Sequence, residues 1–382
     1  MNSPNIRITN IDMLRGIVMI LMCIDHARDY TLYHPTDPML LSDIPISVIL
    51  LRFLSHFCAP TFIFLAGISI WLASKKKDKT ELSFFLLTRG AILCLLEITI
   101  VNWGWSFNPA FHTIYLQIIW AIGISMIAMS TLLYLPRRIL ASICIIILLC
   151  HNLFSNVQFE ENSFMFYLWS FLIQKNLLPL GENIMVRTTY PVLPVMAIMG
   201  LGYIVGQWYT HFDSDKRKKY LLNTSIVMIS SFVFFRIIIG YGDSSPIDIN
   251  NGIQAYLISV MNTTKYPMSL DFILLYLSIP ICILSLTDNK DFKGFTVTLG
   301  RVPMFFYVLH IYILHLLILI WLMIHGEHID LYKNLGGVPS DTGYPIEILL
   351  FIVPATIAIL YIPCKWYYNI KRKKQYKITN YL

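Results

Sequence analysis

Charged and histidine side chains stand inside segments that are otherwise apolar, and the densest group of them lies near the N-terminus. Arg15 and His26 are eleven residues apart, which on an α-helix is three turns plus about 20°, so the two side chains share one face about 16 Å apart. Asp29 follows His26 by three residues and is predicted to reach its ring. A carboxylate on one ring nitrogen fixes the imidazole tautomer and makes the other nitrogen a better base. The spacing predicts a general base at His26, whereas Asp25, although a candidate catalytic residue, points in another direction.

A second pair of polar residues follows in the next apolar segment. Arg52 and His56 are four residues apart, so on a helix they lie on the same face. That helix is predicted to run inward, which places both residues in its outer half. They are therefore predicted to bracket the same site as His26.

Ionisable side chains in a bilayer are costly, on the order of 2.5 to 3.5 kcal/mol each at its centre, and they mark functional sites by default. Arg15 and Arg89 are of this kind and lie towards the inner ends of their segments. An alternative remains open for these two residues and for Asp12. They could be structural ion pairs, or residues whose long side chains extend to the headgroups.

The composition indicates that the apolar segments containing these residues lie in a membrane. Hydrophobic residues make up 56% of the 382 residues and charged ones only 13%, against about a quarter in soluble domains. The net charge of +7 comes from basic residues in short loops, so we do not expect a nucleic-acid partner. The cysteines lack CxxC or CxxxC spacing and there is no HExxH sequence, so no metal site is predicted.

The fold class is predicted to be an all-α polytopic membrane bundle, formed by one domain over residues 1–370 with a basic tail over 371–382. Ten apolar runs are long enough to cross about 30 Å of hydrocarbon. A further apolar run, 164–173, is predicted to be an interfacial or re-entrant helix. The ten predicted spans are 11–30, 46–73, 84–103, 113–135, 139–154, 192–209, 221–239, 270–286, 302–324 and 346–362.

Basic residues are distributed unevenly between the loops that connect these spans. One set of alternate loops holds 20 Lys and Arg residues and the other only 4, and cytoplasmic loops are the enriched ones. Both termini are therefore predicted to be cytoplasmic. The long connections 155–191, 241–269 and 325–345 then lie outside, and we expect a substrate surface there.

Several motifs along the chain carry a family resemblance. They are IDMLRG (11–16), MCIDHARDY (22–30), Arg52 with HFCAP (56–60), FLAG (64–67), Arg89-Gly90 with Glu97, IWAIG (119–123), YPVLP (190–194), KYPMSL (265–270), GRVP (300–303) and YVLH (307–310). In these the chain resembles bacterial membrane proteins of the heparan-alpha-glucosaminide N-acetyltransferase-like family, within the transmembrane acyltransferase superfamily.

The resemblance implies a multi-pass protein of the bacterial cytoplasmic membrane that transfers an acetyl group from cytoplasmic acetyl-CoA to a sugar or glycan on the other side. In the superfamily, a histidine at the position of His26 is held essential. In the animal members the functional histidine lies in the following loop, where His34 is the nearest residue here, so both stay candidates. Arg15, Arg89 and Arg301 are then candidates to bind the CoA pyrophosphate.

Alternatives remain open from the sequence. Arg52 or His56 is a candidate to stabilise the oxyanion, and transfer is either direct or through an acetyl-histidine. A secondary transporter using Asp25, His26, Asp29, Arg52 and Glu97 as a proton or substrate pathway is a different class of function. A scaffold role is a third. The acceptor, N- or O-acetylation and the oligomeric state are not determined by the sequence.

Overall fold

The computed structural model describes residues 8–31, 46–108, 110–325 and 346–373, and these are mostly helical. Within them, seven stretches are long and apolar enough to cross a membrane. The protein is therefore an integral membrane protein. The seven stretches are Ile46–Ala73, Lys79–Ser106, Arg137–Phe154, Val192–His211, Ser214–Ile239, Pro303–Ile324 and Ile346–Arg372.

The other three predicted spans also correspond to helices, but these do not combine the same length and apolarity. The first, α1, carries Asp12, Arg15, Asp25, Arg28 and Asp29 within 23 residues. The helices at the fourth and eighth predicted spans are only 15 and 17 residues long. Charge in the first case and length in the other two therefore set these helices apart from the seven.

The elements follow one another along the chain without internal repetition in the described residues. The first half contains α1 (Thr9–Thr31), α2 (Ile46–His56), α3 (Cys58–Ala73), α4 (Lys79–Leu96), α5 (Asn102–Ser106), β1 (Thr113–Leu116), α6 (Ile118–Leu132), α7 (Arg137–Cys150), α8 (Phe164–Leu172), β2 (Leu177–Leu180) and β3 (Ile184–Thr188). The second half contains α9 (Val192–Gly206), α10 (Trp208–His211), α11 (Ser214–Val233), α12 (Gly252–Met261), α13 (Leu270–Leu286), α14 (Phe295–Gly300), α15 (Pro303–Ile324) and α16 (Leu349–Arg372).

Short π-helical or 3₁₀ segments extend four of these helices. A π-helical turn, Glu97–Val101, joins α4 to α5, and another, Phe234–Ile239, extends α11. Short 3₁₀ turns follow α7 (His151–Phe154) and precede α16 (Ile346–Ile348).

A small sheet at one end of the bundle was not predicted. Its strand order is β1-β3-β2, with β1 parallel to β3 and β2 antiparallel to it. The predicted helix at 164–173 is present as α8, which at nine residues is too short to span a bilayer. β1 contacts α6 and the π-helical segment after α4, and α8 contacts α9.

Close helix packing holds the centre of the bundle. A Cβ at Gly67 in α3 would lie 2.1 Å from the Met199 carbonyl oxygen, and one at Gly202 in α9 would lie 2.2 Å from the Phe64 carbonyl oxygen. Only glycine permits this backbone approach. The second predicted span is interrupted near Pro60, which lacks the amide hydrogen that would continue the helix. It divides at Phe57 into α2 and α3.

Candidate active site

The His26 side chain lies beside a second histidine from the far end of the chain. Its Nδ1 is 2.7 Å from Nε2 of His310 on α15, and the two rings stack with centroids 4.9 Å apart. Trp105 of α5 packs its ring edge against His26 at 4.8 Å. The π-helical turn between α4 and α5 places Trp105 there. His26 is therefore held on two sides by aromatic rings.

The hydrogen-bond network assigns the tautomer of both rings. Nδ1 of His310 is 3.1 Å from the Phe306 carbonyl oxygen, which can only accept, so this nitrogen carries the proton. Nε2 of His310 is then an acceptor, and Nδ1–H of His26 donates to it when both rings are neutral. The remaining nitrogen of His26, Nε2, keeps its lone pair. That nitrogen is the one available to act as a base.

The predicted contact between Asp29 and the His26 ring is wrong. Arg28 forms salt bridges with the carboxylates of both Asp25 and Asp29, with its Nη2 at 2.9 Å from Asp25 Oδ1 and 2.8 Å from Asp29 Oδ1. The Lys265 ammonium, from the connection before α13, binds Asp25 Oδ2 at 3.0 Å. Asp25, expected to point in another direction, lines the same cavity as His26. His310 therefore replaces Asp29 as the ring's partner.

Lys265 remains charged although it is buried. Burial alone favours the neutral amine, but the attraction of Asp25 outweighs it and raises the pKa of Lys265 above its usual range. Together, Asp29, Arg28, Asp25 and Lys265 form a chain of ion pairs in which all but the exposed Asp29 are buried. This chain fixes the C-terminal end of α1 against the connection before α13.

A cavity of about 260 Å³ opens beside His26 and is lined by Asp25, Asp29, Lys265, Trp105 and Tyr307 among others. Two of its polar groups lie side by side, the Tyr307 hydroxyl and the Trp105 indole N–H, which is directed at the Tyr307 oxygen. Both are buried, and neither has a hydrogen-bond partner elsewhere among the described residues. Unsatisfied buried donors are expensive, so a ligand acceptor atom is expected beside them.

A second cavity of about 290 Å³ adjoins the first and contains all three predicted phosphate-binding arginines, Arg15, Arg89 and Arg301. Lys371 of α16 lines it as well. The two cavities have four lining residues in common, namely Met22, Phe62, Ile118 and Tyr307. The two cavities therefore meet at the level of Met22, which lies between Arg15 and His26 on α1.

Two arginines of this basic cavity, Arg15 and Arg301, are held in place where α1 packs closely on α14. A Cβ at Gly16 would lie 1.9 Å from the Thr296 carbonyl oxygen, so the two backbones touch. At this crossing Nη1 of Arg15 donates to the Gly300 carbonyl at 3.1 Å, and Nε of Arg301 binds Asp12 Oδ2 at 3.1 Å. Both guanidinium groups are thereby oriented by the IDMLRG and GRVP motifs.

Arg52 and His56 do not join this site. The His56 ring is buried against Phe272 and Tyr276, with centroids 5.2 and 4.8 Å away. Neither Arg52 nor His56 is among the residues that line the His26 cavity. The prediction that they bracket the site is therefore wrong, because α2 turns its polar face towards α13. His34 lies outside the described residues.

Sequence reasoning missed His310, Lys265, Trp105 and Tyr307. Each comes from a segment far from α1, so no local spacing indicates the contact. One signal was present, since His310 is an ionisable residue inside a predicted span. His315 hydrogen-bonds the Gly104 carbonyl at 2.8 Å.

The chain is similar to a known protein family. Residues 7–240 match the family described as heparan-alpha-glucosaminide N-acetyltransferase, catalytic. The search of the curated proteins finds no relative of this chain. The match includes α1, with Arg15 and His26, and ends just after α11. Since it covers more than half of the chain, the protein belongs to the heparan-alpha-glucosaminide N-acetyltransferase catalytic-domain family.

Proposed function

We propose that the protein takes an acetyl group from acetyl-CoA bound in the Arg15 cavity and passes it to a sugar amine or hydroxyl bound in the His26 cavity. Family membership supports a membrane acetyltransferase. The observation that carries the proposal is the arrangement of the two adjoining cavities along α1, one basic and one containing the unprotonated Nε2 of His26. Donor and acceptor would thus approach from opposite ends.

Arg15, Arg89 and Arg301 would hold the phosphates of the donor. Guanidinium groups bind phosphate oxygens in pairs, and Nε of Arg89 is buried without a hydrogen bond within the described residues. The pantetheine arm would then run past Met22 and Phe62, which line both cavities. This path brings the thioester beside Tyr307.

The transfer step uses the lone pair of His26. Nε2 accepts the proton of the acceptor group as its nitrogen or oxygen attacks the thioester carbon. The oxyanion that forms would accept a hydrogen bond from the Tyr307 hydroxyl, which has no acceptor among the described residues and whose oxygen the Trp105 indole N–H would polarise. When the intermediate collapses, the C–S bond breaks and the CoA thiolate takes the proton from Nε2. Such a general base contributes typically 10²- to 10⁴-fold.

The route of the acetyl group before it reaches the acceptor is left open. Alternatively, the same lone pair attacks the thioester carbon, the C–S bond breaks and the CoA thiolate leaves, giving an acetyl-imidazole. The acceptor then displaces the acetyl group from Nε2, which regains its lone pair and takes the acceptor's proton. In both routes the imidazolium proton on Nδ1 stays hydrogen-bonded to His310. The same residues are therefore required in either case.

The topology belongs to the proposal as well. With the basic loops inside, as positive-inside bias favours, the Arg15 cavity faces the cytoplasm, where acetyl-CoA is made, and the His26 cavity faces outward. Both termini are then cytoplasmic, in the bacterial inner membrane, with residues 1–370 acting as one domain.

A secondary transporter would use the same charged residues as a pathway. The chain of ion pairs at the C-terminal end of α1 favours it only weakly, because Arg28 and Lys265 already neutralise the two carboxylates. Saturable acetyl-CoA binding by the purified protein separates the two functions, since a carrier of another solute has no reason to bind it.

Replacing His26 by glutamine tests the enzyme directly. Acetylation of glucosamine from acetyl-CoA, followed by mass spectrometry, should fall at least 100-fold, while acetyl-CoA binding stays within about twofold of the unchanged protein and reports that the variant is folded. Transfer at the unchanged rate in this variant contradicts the proposal.

A further inference from the structure

The two cavities meet at a set of four side chains, one from each of four helices. Met22 of α1, Phe62 of α3, Ile118 of α6 and Tyr307 of α15 line both cavities, and among the described residues every other lining residue belongs to only one of the two. We call these four residues the junction. Apart from the Tyr307 hydroxyl, the junction is apolar.

The order of the lining residues along the helices places the junction across the path between the cavities. On α3, Ala59 lines the His26 cavity, Ala66 lines the Arg15 cavity, and Phe62 lies between them. The same order holds at the start of α6, where Gln117 lines the His26 cavity and Ile119 the Arg15 cavity. A group that moves from one cavity to the other therefore passes the junction.

The reacting atoms of the proposed transfer lie beside the junction. Met22 precedes His26 by four residues on α1, so the two side chains are neighbours on one face, with about 5 to 6 Å between their Cβ atoms. The Tyr307 ring lies 6.3 Å from the His26 ring between centroids. The acceptor atom lies about 2.6 to 3.2 Å from Nε2 and attacks the thioester carbon from about 3 to 3.5 Å. The thioester carbon is therefore within about 7 Å of Nε2, at the level of Met22 and Tyr307.

The acyl chain of the donor has only the wall of the junction to lie against. The pantetheine arm comes from the Arg15 cavity and the acceptor from the His26 cavity, so the carbons attached to the thioester carbon point at this wall. The wall is closely packed, since Met22 and Tyr307 are only 5% and 4% exposed. A single methyl group needs little of this space, whereas each added methylene has to displace a packed side chain.

Phe62 is the junction residue whose size limits that space. It is half-buried, and on the cavity face of α3 it stands between two alanines, Ala59 three residues before it and Ala66 four residues after it. Residues at these spacings are neighbours on a helix surface. Without the phenyl ring, the space over both alanines would form one apolar groove beside the thioester, open to a longer acyl chain.

We propose that Phe62 determines the length of the transferred acyl group, so that acetyl-CoA is accepted and longer acyl-CoA donors are rejected. This rests on the proposed function. An apolar pocket that is one methylene too small discriminates about 10- to 200-fold, so the two extra methylenes of a butyryl group are enough for strong rejection. The phenyl ring that Phe62 contributes is larger than those two methylenes.

The test compares acetyl-CoA, propionyl-CoA and butyryl-CoA as donors, with glucosamine as the acceptor. For the unchanged protein we expect kcat/KM to be at least about 100-fold lower with butyryl-CoA than with acetyl-CoA, and Phe62→Ala should reduce this difference at least tenfold. Phe85→Ala is the matched control, because Phe85 is also half-buried but lines only the Arg15 cavity. It should leave the ratio of the two donors within about threefold of that in the unchanged protein.

Each outcome separates the role of Phe62 from the chemistry. Equal use of all three donors by the unchanged protein overturns the proposal and leaves the proposed function standing, as does a donor ratio that is the same in Phe62→Ala and Phe85→Ala. If no donor supports transfer, the proposed function fails, and binding of butyryl-CoA to the purified protein then decides the role of Phe62. A Kd for butyryl-CoA that falls towards that for acetyl-CoA only in Phe62→Ala supports the role, and an unchanged Kd overturns it.

A smaller change keeps the test available if Phe62→Ala does not fold. Phe62→Leu retains an apolar side chain but removes the ring, and should raise kcat/KM for propionyl-CoA relative to acetyl-CoA at least threefold. No rise in this variant overturns the proposal.

Discussion

The pairing of His26 with His310 makes a quantitative prediction about a residue that touches no substrate. In the ground state the bond between the rings is neutral and contributes about 0.5 to 1.5 kcal/mol, whereas a bond to the imidazolium formed during transfer contributes about 1.5 to 3 kcal/mol. His310→Phe keeps an aromatic ring but removes the acceptor at Nε2. Only the difference between the two bonds, about 1 to 1.5 kcal/mol, affects kcat, so the rate falls about 5- to 13-fold, at 1.36 kcal/mol per tenfold.

Measuring kcat and KM separately shows whether His310 acts by orienting His26 or only by packing in the core. His310→Phe should lower kcat while the KM for acetyl-CoA changes less than about threefold, because His310 does not line the basic cavity. His310→Gln, whose amide oxygen can replace Nε2 as acceptor, should recover much of the rate. His315→Phe is a matched control, since this histidine is buried on the same helix but bonds only the Gly104 carbonyl. A full rate in His310→Phe, or equal losses in the Phe and Gln variants, would refute the role given to His310.

Further predictions concern the donor cavity, the packing of α1 and the buried ion pairs. Arg89→Met should raise the Kd for acetyl-CoA about 10- to 100-fold in a binding titration, because a charged hydrogen bond to phosphate is worth about 1.5 to 3 kcal/mol, and an unchanged Kd would remove Arg89 from the donor site. Gly16→Ala places a Cβ 1.9 Å from the Thr296 carbonyl oxygen, so we expect a loss of about 1 to 3 kcal/mol, seen as a lower Tm in detergent. Lys265→Met leaves Asp25 paired with Arg28 alone and should also lower Tm. Adding Asp25→Asn to this variant should restore part of the lost Tm. No recovery of Tm in the double variant would show that Lys265 and Asp25 are not energetically coupled.

The sequence predicted the parts of the site that are local to one helix. The spacing of Arg15 and His26 on α1 places one in each of two adjoining cavities, because helical geometry relates residues a few turns apart without knowledge of the rest of the fold. Arg89 and Arg301, which the family resemblance and not any local spacing grouped with Arg15, line the same cavity as Arg15.

The partners of these residues could not be predicted in the same way. His310 meets His26 across 284 positions and Lys265 meets Asp25 across 240, and only packing of the whole bundle decides such contacts. Local spacing also gave a wrong prediction for Asp29, because its carboxylate binds the closer guanidinium of Arg28 instead of the imidazole three residues away. It gave a wrong prediction for His56 as well, whose ring packs on Phe272 and Tyr276 of α13. The sheet of β1, β2 and β3 has strands of four or five residues, too short to show an alternating pattern.

Sided vesicles test the central claim most directly. The protein is reconstituted into liposomes with acetyl-CoA sealed inside and glucosamine supplied only outside, and acetylated sugar is measured in the external medium. The account predicts external product that depends on internal acetyl-CoA and disappears with His26→Gln. Product that forms only when donor and acceptor share the same compartment would contradict transfer through the two cavities along α1.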